Sequence, residues 1–154
     1  MKPAAFLSIL GTACTSAWMA VLKRARQYDF HQLPQYHRVA EECGEGTAQL
    51  FVYEEGPHLV ALPLLLRPVD PTEPTGWQDA TSVYGYGGPI ASHEVLPDGV
   101  VRRFQAALKE ALQQRRVVAV FSRLHPLLEQ KKLVAPLGSC PADGETISID
   151  LTAP

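Results

Sequence analysis

The sequence predicts an α/β domain in which helices cover the faces of a sheet. Three observations carry this. Residues 48–54 and 58–67 form an apolar-rich hairpin pattern, residues 117–121 are a short continuous apolar run, and amphipathic helical patterns stand before and between them. At 154 residues the chain suits one domain, with room to bury roughly two-thirds of the surface its unfolded form exposes.

The elements follow in order. Phe6 to Leu10 reads as a first strand. The small-residue run behind Lys2 also invites a signal-peptide reading, and Gly11-Thr12-Ala13-Cys14 resembles a lipoprotein cleavage site. Against that, Pro3 follows the single lysine and Gly11 stands where a leucine is expected. Ser16 is placed to cap a helix over 17–26, with Trp18, Val21, Leu22 and Ala25 at helical spacing. Residues 29–33 read as a loop, and Pro34 suits the first turn of a second helix that runs to Cys43 and stops at Gly44. In the hairpin, Pro63 cannot donate to a ladder, which marks an edge position or a bulge. Residues 70–76, with Pro71 and Pro74, form a surface loop. After Pro97-Asp98-Gly99, the residues Val100, Val101, Phe104, Ala107, Leu108, Ala111 and Leu112 fall on one face of a helix. The run 117–121 is expected to be a strand covered on both faces. A short helix is expected from His125-Pro126 to Lys132, and a last strand over 146–151 with Ile147, Ile149 and Leu151 on one face.

Composition excludes several classes. Hydrophobic content of 46%, charged content of 19% and a net charge of -2 leave no basic face for nucleic acid, and no apolar run is long enough to span a membrane. The basic pairs Arg102-Arg103, Arg115-Arg116 and Lys131-Lys132 read as solvated helix ends. Cys14, Cys43 and Cys140 are odd in number and far apart, which fits a reducing, cytoplasmic compartment rather than a disulfide framework. The five histidines show no metal-ligand spacing.

The most distinctive segment is Thr81-Ser82-Val83-Tyr84-Gly85-Tyr86-Gly87-Gly88-Pro89. Tyrosine offers large contact area with a polar tip, and interleaved glycines allow positive φ and close approach of a ligand or another backbone. Such a segment is either a structural corner or the wall of a binding groove. In an extended segment the rings of Tyr84 and Tyr86 would point to the same side. As a phosphate loop it fails, because Ile90 stands where a dinucleotide fingerprint needs its third glycine and no Gly-Lys-Ser/Thr follows. There is no Gly-x-Ser-x-Gly elbow, and Ser122 with His125 lacks a third partner for a triad. Glu41-Glu42 and Glu54-Glu55 are expected to be solvated. Arg67 and Arg123 each close an apolar strand, where a guanidinium either reaches solvent or points into a cleft; Tyr36 and His37 on the second helix are packing residues or site residues on the same terms.

Several of these segments together resemble the FemAB-like branch of the GNAT acyltransferase superfamily. They are Trp18-x-x-x-Leu22, the run Asp29-Phe30-His31-Gln32-Leu33-Pro34-Gln35-Tyr36-His37, and Leu62-Pro63-Leu64 ending in Arg67. The Tyr-Gly-Tyr-Gly-Gly-Pro element is the most specific, with Phe121-Ser122-Arg123-Leu124-His125-Pro126-Leu127 and Thr146-Ile147-Ser148-Ile149-Asp150-Leu151 supporting it. The resemblance implies a GNAT-like mixed, largely antiparallel sheet flanked by helices, and a two-domain architecture of which residues 1–154 are the N-terminal half. It implies acceptor recognition by Tyr84, Tyr86, Gly87 and Gly88 as groove wall, with Arg67 and Arg123 facing an acceptor carboxylate or phosphate and Tyr36 beside them.

Members of that branch move an acyl or aminoacyl group to an amine, such as that of a muropeptide in peptidoglycan. The partners implied are an amine-bearing acceptor and a second GNAT-like domain or a homodimer partner. The GNAT pyrophosphate loop, Gln/Arg-x-x-Gly-x-Gly/Ala, does not occur, and Gln130-Lys131-Lys132-Leu133-Val134-Ala135 lacks its first glycine. No cofactor is therefore expected on this chain; an acyl-CoA or aminoacyl-tRNA donor is expected only with a second domain. The alternative is a non-enzymatic binding module that keeps the fold. On the groove reading, Tyr86→Ala should weaken acceptor binding with little change in thermal midpoint.

Overall fold

The apolar run of β3 (His58–Pro68) is the strand around which the sheet assembles. The computed structural model describes residues 5–72, 75–142, 144–147 and 149–151. β1 (Ala5–Gly11) pairs antiparallel with β2 (Thr47–Glu55), β2 with β3 across the Gly56-Pro57 turn, and β3 with β4 (Gln78–Thr81). β6 (Val117–Phe121) lies parallel to β4 at the far edge, giving the order β1-β2-β3-β4-β6, while the short β5 (Ile90–Ala91) pairs with β3. The sheet is thus mixed and largely antiparallel, as expected.

Side chains alternate across the sheet and divide the core in two. On one face, α1 (Thr15–Arg24) and α2 (Pro34–Glu42) bury Trp18, Leu22 and Ala40 against Leu50, Val52, Leu59, Ala61 and Leu65. On the other, α3 (Asp98–Gln114) and the short α4 (Lys131–Val134) bury Val100, Phe104, Leu108, Ala111 and Leu133 against Phe51, Tyr53, Val60, Leu62, Leu64 and Leu66. Pro63 pairs with Leu50 on β2. On its other side, partners cover only Val60–Ala61 and 65–68, so the missing N–H falls in a gap between β5 and β4 inside the sheet.

Four expectations are corrected. The strand covered on both faces is β3, whereas β6 is an edge strand with Val118, Val120 and Phe121 exposed. An apolar run records hydrophobicity; the strand order decides which run is covered. Ser16 is not a cap, because the 3-10 turn Thr12–Cys14 feeds directly into α1 at Thr15, whose hydroxyl donates to the Thr12 carbonyl. The helix expected from His125 shrinks to Lys131–Val134. Its first residues are held in a turn by the Gln130 side chain, whose Oε1 accepts the His125 N–H at 2.6 Å. Residues 146, 147 and 149–151 form no strand and leave Ile147, Ile149 and Leu151 exposed, with Ser148 outside the described residues. Among the described residues no helix is long and apolar enough to cross a membrane.

Two of the acidic pairs are also less solvated than expected. Glu41 accepts from the Thr12 hydroxyl and from the Ala48 N–H at 2.8 Å, and Glu54 pairs with Arg24. Glu55, nearly buried at the end of β2, accepts Arg103 Nε–H at 2.8 Å and Nη2–H at 2.5 Å from α3, and the Tyr53 hydroxyl at 2.7 Å. Arg103, and after it the Tyr53 hydroxyl, holds the Glu55 carboxyl down at about 2 from its usual 4.5. A carboxyl depressed in the fold stabilises it above the unfolded-state pKa and loses that contribution as pH falls towards the folded value. The thermal midpoint is therefore expected to fall as pH drops from 4.5 to about 2. In Arg103→Leu that acid-induced fall should be shallower; an unchanged acid limb measured by calorimetry would show that the pair does not contribute.

Candidate functional site

Asp29 starts the site. Its carboxylate accepts the His31 backbone N–H at 2.7 Å, and the Gln32 side chain accepts the Asp29 N–H at 3.0 Å, a reciprocal capping box that opens the 3-10 turn Phe30–Gln32. The segment expected as a loop is therefore fixed from within. It is also fixed from the core, where Trp18 Nε1–H donates to the Gln32 carbonyl at 2.9 Å.

The fully buried Gln32 amide then reaches the Tyr-Gly segment. Its Nε2–H groups donate to the carbonyls of Tyr86 at 3.0 Å and Gly88 at 3.4 Å. With this anchor, residues 84–86 form a turn between β4 and β5 rather than an extended stretch. The two rings consequently part. Tyr84 stands 81% exposed, while Tyr86 lies half-buried, edge-on to His31 at 5.7 Å and to His125 at 5.5 Å between ring centroids. Tyr36, from α2, donates its hydroxyl to the Tyr84 carbonyl at 3.2 Å and stands edge-on to His31 at 5.8 Å.

The glycines answer to these neighbours. Gly85 has φ +97°, and a Cβ there would collide with the imidazole of His31. At Gly88 a Cβ would meet the Gln130 amide, and at Gly87 it would press on Ser82 and Val83 at 3.1 Å. The segment is thus a structural corner, packed against His31, Gln130, Ser82 and Val83.

Asp29 also bridges two histidines. Both of its oxygens lie 2.9 Å from His31 Nδ1, and Oδ2 lies 3.1 Å from His125 Nε2. His125 Nδ1 accepts the Leu127 N–H at 3.1 Å, so both of its nitrogens are engaged. Among the described residues no three such side chains are arranged to hold a metal. Nor is there a triad: the carboxylate partner of His125 is Asp29, and the buried Ser122 Oγ has no hydrogen-bond partner.

Of the residues expected at the site, the structure gathers Tyr36, Tyr84, Tyr86, Gly87 and Gly88. Arg123 follows β6 at the rim, its backbone N–H donating to Ser82 Oγ at 3.3 Å and its side chain exposed. Arg67 forms a bidentate pair with Asp79, both bonds 2.8 Å, and makes no hydrogen bond or ion pair to the cluster. His37 is buried in the core beside Trp18, with burial lowering its pKa and Nδ1 bonded to the Leu33 carbonyl. Sequence reasoning missed Asp29, His31, Gln32 and His125 as partners. The Asp29-x-x-Gln32 spacing is a capping-box signal that would have found Asp29 and Gln32; nothing local marks the His31 or His125 rings.

No family model and no curated protein matches the sequence. Among solved structures, the ribosomal-protein-alanine N-acetyltransferase of Brucella melitensis biovar Abortus 2308 is similar, with a TM-score of 0.51 over 96% of this chain and 99% of that one, at 15% identity. The chain has a GNAT-like fold.

A GNAT-like fold raises the question of an acyl-CoA cradle, and a helix N-terminus is one place to test for it. At the N-terminus of the long helix α3, Pro97-Asp98-Gly99 offers no glycine-rich backbone and Asp98 sets a negative charge in the first turn, so that terminus does not suit a pyrophosphate.

The packing separates the roles of the two tyrosines. Tyr84→Ala should change the unfolding free energy by no more than about 0.5 kcal/mol, the range of surface changes, and leave the thermal midpoint nearly unmoved. Tyr86→Ala should lower it, contrary to the expectation from sequence, because Tyr86 fills the space between His31 and His125. Gly85→Ala should cost about 1–3 kcal/mol in backbone strain alone, read as a drop in the denaturation midpoint. A neutral Gly85→Ala would mean that His31 does not pack on this turn.

Proposed function

We propose that this chain is the acceptor-binding half of a FemAB-like acyltransferase, forming an amide by transfer of an acyl or aminoacyl group to an amine. The observation that carries the reading is the pair Tyr36 and Tyr86, both edge-on to the His31 imidazole that the Asp29 carboxylate holds, with Tyr84 exposed on the same turn. Aromatic faces and a carboxylate favour a cationic or amine-bearing ligand of the muropeptide kind. Orientation of that amine is this half's contribution, since holding a nucleophile in reach accounts for much of such a rate enhancement. Arg123 at the rim is suited to a carboxylate on the same acceptor.

The activated acyl donor belongs, on this reading, to a second GNAT-like domain or a partner chain. Support comes from the unsuitable α3 terminus and from the exposed edge strand β6, where Val118, Val120 and Phe121 offer apolar surface for such a partner. The same α3 terminus favours the second reading, a non-enzymatic binding module that keeps the fold.

Titration calorimetry tests both halves of the claim. Acetyl-CoA should show no binding in the micromolar range, and micromolar binding would overturn the separate donor site. The amine probe Nα-acetyl-lysinamide should bind, and Tyr84→Ala should weaken it about two- to fivefold, as expected for an exposed cation–π contact. Equal affinity in that variant would remove Tyr84 from the acceptor groove.

A further inference from the structure

Two histidines share the Asp29 carboxylate, and they differ in one respect. His125 has both nitrogens occupied, Nε2 by Asp29 and Nδ1 by the Leu127 N–H. His31 has only Nδ1 occupied, facing both carboxylate oxygens at 2.9 Å. A carboxylate on Nδ1 fixes that nitrogen as the one carrying hydrogen and leaves the lone pair on Nε2. His31 Nε2 has no hydrogen-bond partner among the described residues, and the His31 side chain keeps about 10% of its surface exposed. It lies against Gly85, where any side chain would displace it.

The ring cannot easily turn away. Phe30 stacks on it at 3.9 Å and 31°, and Tyr36 and Tyr86 stand edge-on at 82° and 79°. The charged or titratable groups packed about it are Asp29, His125, Tyr36 and Tyr86. This is a ring nitrogen of fixed tautomer and fixed direction, without a hydrogen-bond partner among the described residues, lying at the Gly85 backbone of the Tyr84–Tyr86 turn.

We infer that His31 Nε2 is the proton-accepting nitrogen of this site and Asp29 its positioning residue, the proton coming from the ammonium of an amine-bearing ligand seated at the Tyr84–Tyr86 turn. The inference rests on the acceptor reading for the identity of the proton donor; the geometry of the pair does not depend on it. The step is a proton transfer and balances by itself. An N–H bond of the ammonium breaks, its electron pair stays on the amine nitrogen, and a new N–H bond forms at Nε2. The imidazolium then faces the Asp29 carboxylate, and the freed amine is the nucleophile.

The chain with 15N-labelled histidine tests this by long-range 1H–15N spectra, with no donor half required. His31 should appear as the Nδ1–H tautomer and His125 as the Nε2–H tautomer, and Asp29→Asn should abolish the His31 preference. In a separate reaction, diethyl pyrocarbonate, which acylates an uncharged imidazole with a free lone pair, should label His31 faster than His125. Finding His31 as the Nε2–H tautomer, or labelled no faster than His125, would overturn the inference. Adding Nα-acetyl-lysinamide should move the His31 ring resonances, while its Nε-acetylated analogue should not. If tautomer and labelling come out as expected but neither compound moves His31, the amine acceptor is wrong and the dyad stands. If the amine does move His31 and acetyl-CoA also binds the chain, the dyad stands and the separate donor site fails.

Discussion

The whole site depends on one buried amide. Gln32 is fully buried, and each of its polar groups is engaged: Oε1 by the Asp29 N–H, Nε2 by the carbonyls of Tyr86 and Gly88, and its main-chain carbonyl by Trp18. A buried amide without partners costs about 1–3 kcal/mol per lost bond, so this arrangement has little freedom to rearrange. It joins α1, the 3-10 turn and the Tyr-Gly corner into one unit. The direction of Asp29, and through it the tautomers of two histidines, follows from that unit.

The corner itself shows how a turn is fixed by side chains from other segments. A side chain at Gly85 would meet His31, and one at Gly88 would meet Gln130. The glycines bring backbone within reach of those imidazole and amide groups, and the intervening tyrosines are then thrown to different sides. Tyr86 goes inward between two histidines and Tyr84 outward to solvent. Because the turn is braced by Gln32 and the Tyr36 hydroxyl, the exposed Tyr84 ring is carried on a fixed backbone.

Much of the architecture was legible because it rests on local periodicity. The helical spacing of Trp18 and Leu22, the face Val100-Phe104-Leu108-Ala111, the hairpin about Gly56 and the proline opening α2 all appear where the pattern places them. Illegible were features that depend on neighbours distant in sequence. The runs 59–66 and 117–121 are equally apolar, yet only the first is flanked by strands on both sides. Ile147, Ile149 and Leu151 alternate as a strand should, but a strand needs a partner edge as well as a pattern, and they stand exposed. Glu55 looked like a solvated turn residue until Arg103 arrived from α3.

By itself, the sequence determined the amphipathic helices α1, α2 and α3, the hairpin about Gly56 and the singular Tyr-Gly segment, because propensity, hydrophobic period and turn chemistry act between residues close along the chain. Only the tertiary structure decided which strand is central, which tyrosine faces solvent, and that Asp29 holds His31 and His125 together. Those outcomes come from hydrogen bonds and steric contacts between segments up to a hundred or so residues apart, whose energies exist only once the sheet has set their distances.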